Sequence, residues 1–139
     1  MKIFTERDLI VAIPKMIDLS RSAMQVYDTL SIPVWLFSIE TLEILASNKA
    51  AQTWLGFDAE TFKAMTIVDL KPAEERAEII DKVRWFVEAT IDAGTWTIVA
   101  KSGSRCTASL SWTKIIFDGT EAIVVSVSDI RCLRGAKDK

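Results

Sequence analysis

The order of β-rich and helical segments along the chain predicts an α+β fold, in which an antiparallel sheet carries helices on one face. Two β-rich stretches come first, followed by short segments with helix-capping signals and one longer helical segment. Three further β-rich stretches, separated by glycine turns, end the order. The 139 residues are enough for one domain with a single core.

The first predicted element is an amphipathic helix over residues 5 to 30, which Pro14 is expected to break in two. Its apolar side chains recur at three- or four-residue steps or multiples of them: Leu9, Ile13, Met16, Met24, Tyr27 and Leu30. Left exposed, this stripe would be larger than the apolar patches that monomers tolerate. We expect part of it to lie on the domain's own sheet and the rest to pair with a second copy, which gives a homodimer.

An opening hairpin follows, with strands predicted at 32 to 39 and 42 to 46. Ser47 and Asn48 offer N-cap oxygens to a short helix from Lys49 to Leu55. Two further short helical turns are predicted at 59 to 64 and 67 to 70.

A long helix is predicted from Pro72 to about Asp92, because proline suits a first helical position and Gly94 suits a helix end. Three strands follow at 95 to 101, 105 to 117 and 120 to 128, with glycine turns between them. In the middle strand, alternation predicts that one face is apolar and packs against the helices, with Cys106, Ala108, Leu110 and Trp112 on it.

Several short motifs occur in order along the chain: Ile44 to Ala51 with Trp54 to Phe57, Lys71 to Arg76, Lys101 to Ser104, Phe117 to Gly119, and Asp129 to Arg131. Together, over residues 32 to 131, they resemble the PAS (Per-Arnt-Sim) sensory domain. Ser102 stands where the family has aspartate, and Arg131 stands where it has threonine. The resemblance implies a five-stranded sheet of order 2-1-5-4-3, with a pocket between the sheet and the helices.

The resemblance also implies a domain organisation and a role. Residues 1 to 31 are expected to be a helical dimerisation segment, 32 to 131 the PAS-like core, and 132 to 139 a tail or the start of a linker. Asp129, Ile130 and Arg131 would relay a signal to an attached output domain. The alternative for these charges is a solvated strand end.

Composition excludes several classes of function. The chain contains no histidine, which rules out His-dependent triads, His-ligated haem and the usual zinc-enzyme sites. A net charge of −2 without a basic cluster argues against nucleic-acid binding. No apolar run reaches the roughly 18 residues of a membrane span. Cys106 and Cys132 are expected to be free thiols of a cytoplasmic protein.

The candidates for a ligand pocket are mainly large apolar side chains: Trp54, Trp96, Trp112 and Leu110, with Asn48 as a polar member. The favoured alternative for any single tryptophan is a place in the core, and for Asn48 it is a helix cap. Residues 48 to 72 contain no cysteine, which excludes a cysteinyl-flavin adduct there. The cofactor is unknown, and a non-covalent small ligand fits the pattern.

The sequence therefore predicts a non-catalytic sensory or interaction module of a bacterial-type signalling protein. It would bind a small molecule or mediate dimerisation. The alternative is a small cone-shaped enzyme of the isomerase kind with one buried carboxylate. No metal site is predicted.

Overall fold

The computed structural model of the chain describes residues 17–19, 24–86 and 90–132. In chain order its elements are β1 (Ile17–Leu19), α1 (Met24–Tyr27), β2 (Val34–Ser38), β3 (Ile44–Ser47), α2 (Lys49–Leu55), α3 (Ala59–Lys63), a 3₁₀-helix (Ile67–Leu70), α4 (Ala73–Arg84), β4 (Thr90–Val99), β5 (Arg105–Phe117) and β6 (Thr120–Cys132). None of the helices within these ranges is long and apolar enough to cross a membrane.

The main sheet has five antiparallel strands in the order β3-β2-β6-β5-β4. Counted from β2 as the first strand, this is the predicted order 2-1-5-4-3, which the structure confirms. Strands β5 and β6 form a long hairpin at Asp118 and Gly119, whose φ angles of 49° and 82° are both left-handed. Asp-Gly tolerates two such residues, and the resulting turn matches the twist of the strands.

The leading segment differs from the prediction of helix over residues 5 to 30 with a break at Pro14. Ile17–Leu19 is a strand that runs parallel to the end of β5, where Ile17 pairs with Ile115 and Leu19 with Phe117. Strand β4 pairs with β5 only up to Thr113, so the last residues of β5 would otherwise have a free edge. Strand β1 occupies that edge, and among the described residues of the leading segment the helix is Met24–Tyr27. Leu9, Ile13 and Met16 lie outside the described residues.

The long helix is shorter than predicted. It ends at Arg84 instead of about Asp92, and the next strand already begins at Thr90. Ile91 fits the helical spacing, but it pairs with Trp112 in the sheet. Gly94 does not end a helix; it has a φ of 92° and follows an irregularity in β4 that begins at Asp92.

Apolar side chains form two clusters, one on each face of the sheet. The inner cluster fills the space between the sheet and the helices and includes Trp35, Phe37, Leu55, Phe62, Ile79, Leu110 and Trp112. The predicted alternation in β5 is confirmed, since Cys106, Ala108, Leu110 and Trp112 are all buried. The outer face of the sheet is polar at Thr107 and Ser109. It is apolar at Ile115 and Phe117, which belong to the second, outer cluster, and Tyr27 packs against that cluster.

The prediction of free thiols is wrong, because Cys106 and Cys132 form a disulfide. Hairpin pairing from the Asp-Gly turn would place Arg131 opposite Cys106. One extra residue in β6, inserted opposite Ala108, shifts the register so that Cys132 faces Cys106 instead. Asp129, with a φ of 50°, lies in this bulge. The expected cytoplasmic location rested partly on free thiols and loses that basis.

Candidate functional site

The candidate site is the surrounding of Trp112, which belongs to the inner cluster between the sheet and the helices. Trp112 is 1% exposed, and its ring centroid lies 5.8 Å from that of Phe37 and 5.6 Å from that of Phe86. Its indole Nε1 has no hydrogen-bond partner, the one buried side-chain polar atom in that state within the described ranges. A buried donor left unpaired costs about 1–3 kcal/mol. This N–H is therefore the polar feature that distinguishes Trp112 within the inner cluster.

Trp96 lies further along the same inner face and differs from Trp112 in its hydrogen bonding. Its Nε1 donates to the backbone oxygen of Ala93 at 2.8 Å, so the indole is already satisfied. Leu110 is buried on the same face of β5 as Trp112. Of the predicted pocket candidates, Trp112 alone combines burial with an unused donor.

A buried lysine lies against Trp96. The Lys71 side chain is 3% exposed, and its Nζ is 5.7 Å from the centroid of the Trp96 ring. Burial lowers the pKa of the Lys71 ammonium group to about 7, and the charge of Glu75 opposes this by raising it. The Glu75 carboxylate accepts hydrogen bonds from Thr97, from the backbone N at 3.0 Å and from Oγ1 at 2.8 Å.

Asn48 is fully occupied by the protein itself. Its Oδ1 accepts from the backbone N of Val34 at 3.0 Å and of Ala51 at 2.9 Å. Its Nδ2 donates to the carbonyls of Tyr27 at 3.0 Å and Ile32 at 2.9 Å. Two accepted and two donated bonds are the full capacity of an amide. Asn48 caps α2 and ties it to β2 and the leading segment, with no bond left for a ligand.

Trp54 packs against the inner cluster and also borders an open surface groove. It is partly buried and lines an open groove of about 470 Å³ together with Leu30, Pro33, Ala50 and Ile130. The groove thus joins α2, the segment before β2 and the end of β6. Of the predicted relay residues, Ile130 lines the groove. Asp129 and Arg131 are the neighbours of Ile130 in the chain.

Two features of the site were missed by sequence reasoning, namely the burial of Lys71 and the disulfide. Lys71 lies between Leu70 and Pro72, and only the apolar residue before it hints at burial.

The alternative enzyme requires a buried carboxylate, and no Asp or Glu is buried in the part of the chain that the structure describes. Nor do those residues contain a group of three or more His, Cys, Asp or Glu side chains that could hold a metal ion.

Solved structures similar to this chain include several PAS domains. One from an HTR-like protein of Haloarcula marismortui has a TM-score of 0.64 at 11% identity, covering 78% of this chain and 94% of that one. One from Desulfitobacterium hafniense has a TM-score of 0.66 at 16% identity, covering 76% and 98%. A third, from a two-component sensor histidine kinase, has a TM-score of 0.63 at 15% identity, covering 78% and 93%.

No protein-family model matches the chain, and no curated protein sequence matches it either. The structural matches nevertheless agree with the strand order and the helical layer described above. The chain has the PAS fold.

Proposed function

We propose that this domain is a non-catalytic sensory module that binds a small molecule and relays its presence to an attached output domain. The PAS fold supports the sensory role, since one of the similar structures comes from a sensor histidine kinase. Fold alone does not assign function, so the proposal depends on the site. The unpartnered indole N–H of Trp112 is the observation that carries it.

The chemistry around Trp112 defines the class of ligand. Phe37 and Phe86 provide aromatic surfaces, which favour an apolar or aromatic body. The unpaired Nε1 donor favours one hydrogen-bond acceptor, such as a carbonyl oxygen. A neutral aromatic ketone or amide combines both properties.

The Trp112 donor should discriminate between two probes of nearly equal size, acetophenone and ethylbenzene, which differ by one carbonyl oxygen. Wild-type protein is expected to bind acetophenone roughly tenfold more tightly, because one net hydrogen bond contributes about 1.4 kcal/mol. In Trp112→Phe this preference should disappear. Ligand-observed NMR titrations of both probes against both proteins measure it.

Trp96→Phe is the matched control, because the Trp96 indole donates to the Ala93 carbonyl instead of lying unpaired. This variant should lose some stability and keep the preference for acetophenone. If Trp112→Phe retains the preference, or if wild type binds neither probe, the proposed ligand class is wrong.

We also propose that the domain is a homodimer whose interface includes the groove beside Trp54. Leu30 and Ile130 line this groove and are 39% and 38% exposed, and Val26 and Ile32 in the same leading segment are 68% and 45% exposed. Burying these side chains against a second copy would remove apolar surface from water. Ile130 also belongs to the proposed relay of Asp129, Ile130 and Arg131, so dimer contact and signal output would share one surface.

Ile130→Glu is expected to dissociate the dimer into 15.5 kDa chains, because it places a charge in an apolar interface. Light scattering at matched micromolar concentrations reports the mass. Ile80→Glu is the control, since Ile80 is equally exposed at 38% but lies on α4. It should remain dimeric. A monomeric wild type, or dissociation by both variants, contradicts the proposed interface.

A further inference from the structure

The disulfide lies at the end of β6, at the last described residue of the chain. Cys132 is the last residue of β6, and its partner Cys106 is in β5, next to Ile98 of β4. The residue Cys106 is 5% exposed, whereas Cys132 is exposed. A reductant can therefore approach the bond from the Cys132 side.

Among the described residues, few backbone pairs hold this end of β6. Two described residue pairs follow the bulge at Asp129, namely Arg131 with Thr107 and Cys132 with Cys106. The Cα atoms of the cysteines are 4.0 Å apart, the short spacing of a pair that exchanges no backbone hydrogen bonds. The hydroxyl of Thr107 donates a long hydrogen bond of 3.4 Å to the Arg131 carbonyl. On the other side of the bulge, by contrast, the ladder runs without a break to the turn.

We propose that the Cys106–Cys132 disulfide is a reversible redox latch that holds the end of β6 on the sheet and releases it on reduction by a dithiol. A thiolate of the dithiol attacks the Cys132 sulfur, and Cys106 leaves as a thiolate that takes up a proton. The second thiol of the reductant then displaces Cys132 as a thiol and closes the reductant's own disulfide. Two electrons and two protons pass from the dithiol to the protein.

Release of this end has a consequence for the rest of the surface. Ile130 lies two residues before Cys132 and lines the groove beside Trp54 and Leu30. Freeing the residues after the bulge lets Ile130 leave the groove. The redox state of the disulfide thereby controls whether Ile130 lines the groove. This latch does not depend on ligand binding at Trp112.

Limited trypsin digestion of the full 139-residue chain tests the latch, because the peptide bond after Arg131 lies within the held segment. Oxidised protein and protein reduced with dithiothreitol are digested in parallel, and the fragments are fully reduced and identified by mass. We expect reduction to raise the cleavage rate after Arg131 at least tenfold. Cleavage after Lys114, in the middle of β5, should not change.

Cys132→Ser and Cys106→Ser provide the matched controls, since neither can form the bond. Both should be cleaved after Arg131 at the rate of the reduced wild type, with no further effect of dithiothreitol. Glutathione disulfide should restore slow cleavage to the reduced wild type. Equal cleavage of the two wild-type forms overturns the latch. A parallel rise at Lys114 overturns it as well, because the bond would then stabilise the whole domain.

Discussion

Asn48→Ala is expected to lower the free energy of unfolding by about 3 to 4 kcal/mol. Alanine removes the side-chain partner of the N–H groups of Val34 and Ala51 and of the carbonyls of Tyr27 and Ile32. Of these four groups, the Tyr27 carbonyl keeps the hydrogen bond that it accepts from the Leu30 backbone N. Each unpaired buried group costs about 1–3 kcal/mol, although water can reach the two carbonyls more easily. Urea denaturation at pH 7 measures the loss.

Asn48→Asp tests the hydrogen bonds that the side-chain amide accepts separately from those that it donates. It keeps the Oδ1 that accepts from Val34 and Ala51 but places a second oxygen, in place of Nδ2, towards the carbonyls of Tyr27 and Ile32. We therefore expect it to be strongly destabilised at pH 7 and less so, relative to wild type, at pH 4. A protonated carboxyl can donate one hydrogen bond again.

Asp58→Ala is the matched control for a cap without burial. Asp58 caps α3 by accepting a hydrogen bond from the Thr61 backbone N at 2.8 Å, and it is exposed. Its removal should cost clearly less than the removal of Asn48. Equal losses in the two variants would contradict the view that Asn48 joins three segments of the fold.

Local signals in the sequence predict much of the strand order. The Asp118-Gly119 pair defines the β5–β6 hairpin, and Asn48 and Gly56 define the ends of α2, because the residues that matter are adjacent in the chain. The pairing of Cys106 with Cys132 depends instead on a single extra residue in β6. Such a bulge carries no specific sequence signal, so the disulfide could not be predicted.

The prediction of the long helix failed at its end because tertiary contacts, and not local periodicity, determine the structure there. Ile91 continues the helical spacing of α4, yet it lies in β4 opposite Trp112. Strand pairing is a long-range contact and overrides local periodicity. For Trp112 the sequence predicts the correct face of β5 by alternation. That its Nε1 lacks a partner depends on the packing of Phe37 and Phe86, which alternation does not reveal.

Wild-type stability is expected to rise by about 2 kcal/mol between pH 7 and pH 9 through Lys71 alone. In the unfolded chain this amine keeps its proton up to its ordinary pKa of 10.5, whereas burial lowers the folded-state pKa to about 7. Between these values the unfolded state binds more protons than the folded state, so the free energy of unfolding increases with pH. Below pH 7 the full destabilisation is present, and above pH 10.5 it vanishes.

Lys71→Met isolates this contribution, because methionine fills a similar volume and does not titrate. The variant should be more stable than wild type at pH 7, and its advantage should shrink by about 2 kcal/mol at pH 9. Urea denaturation at both pH values gives the two differences.

Glu75→Gln provides the second test, since the Glu75 charge raises the pKa of Lys71. Its removal should lower that pKa further, so that the rise in stability with pH begins at a lower pH than in wild type. Glutamine retains an oxygen that can accept from Thr97, which limits the loss of packing at that position. If the difference between wild type and Lys71→Met is the same at pH 7 and pH 9, Lys71 is not deprotonated in this range and its ammonium group must reach water.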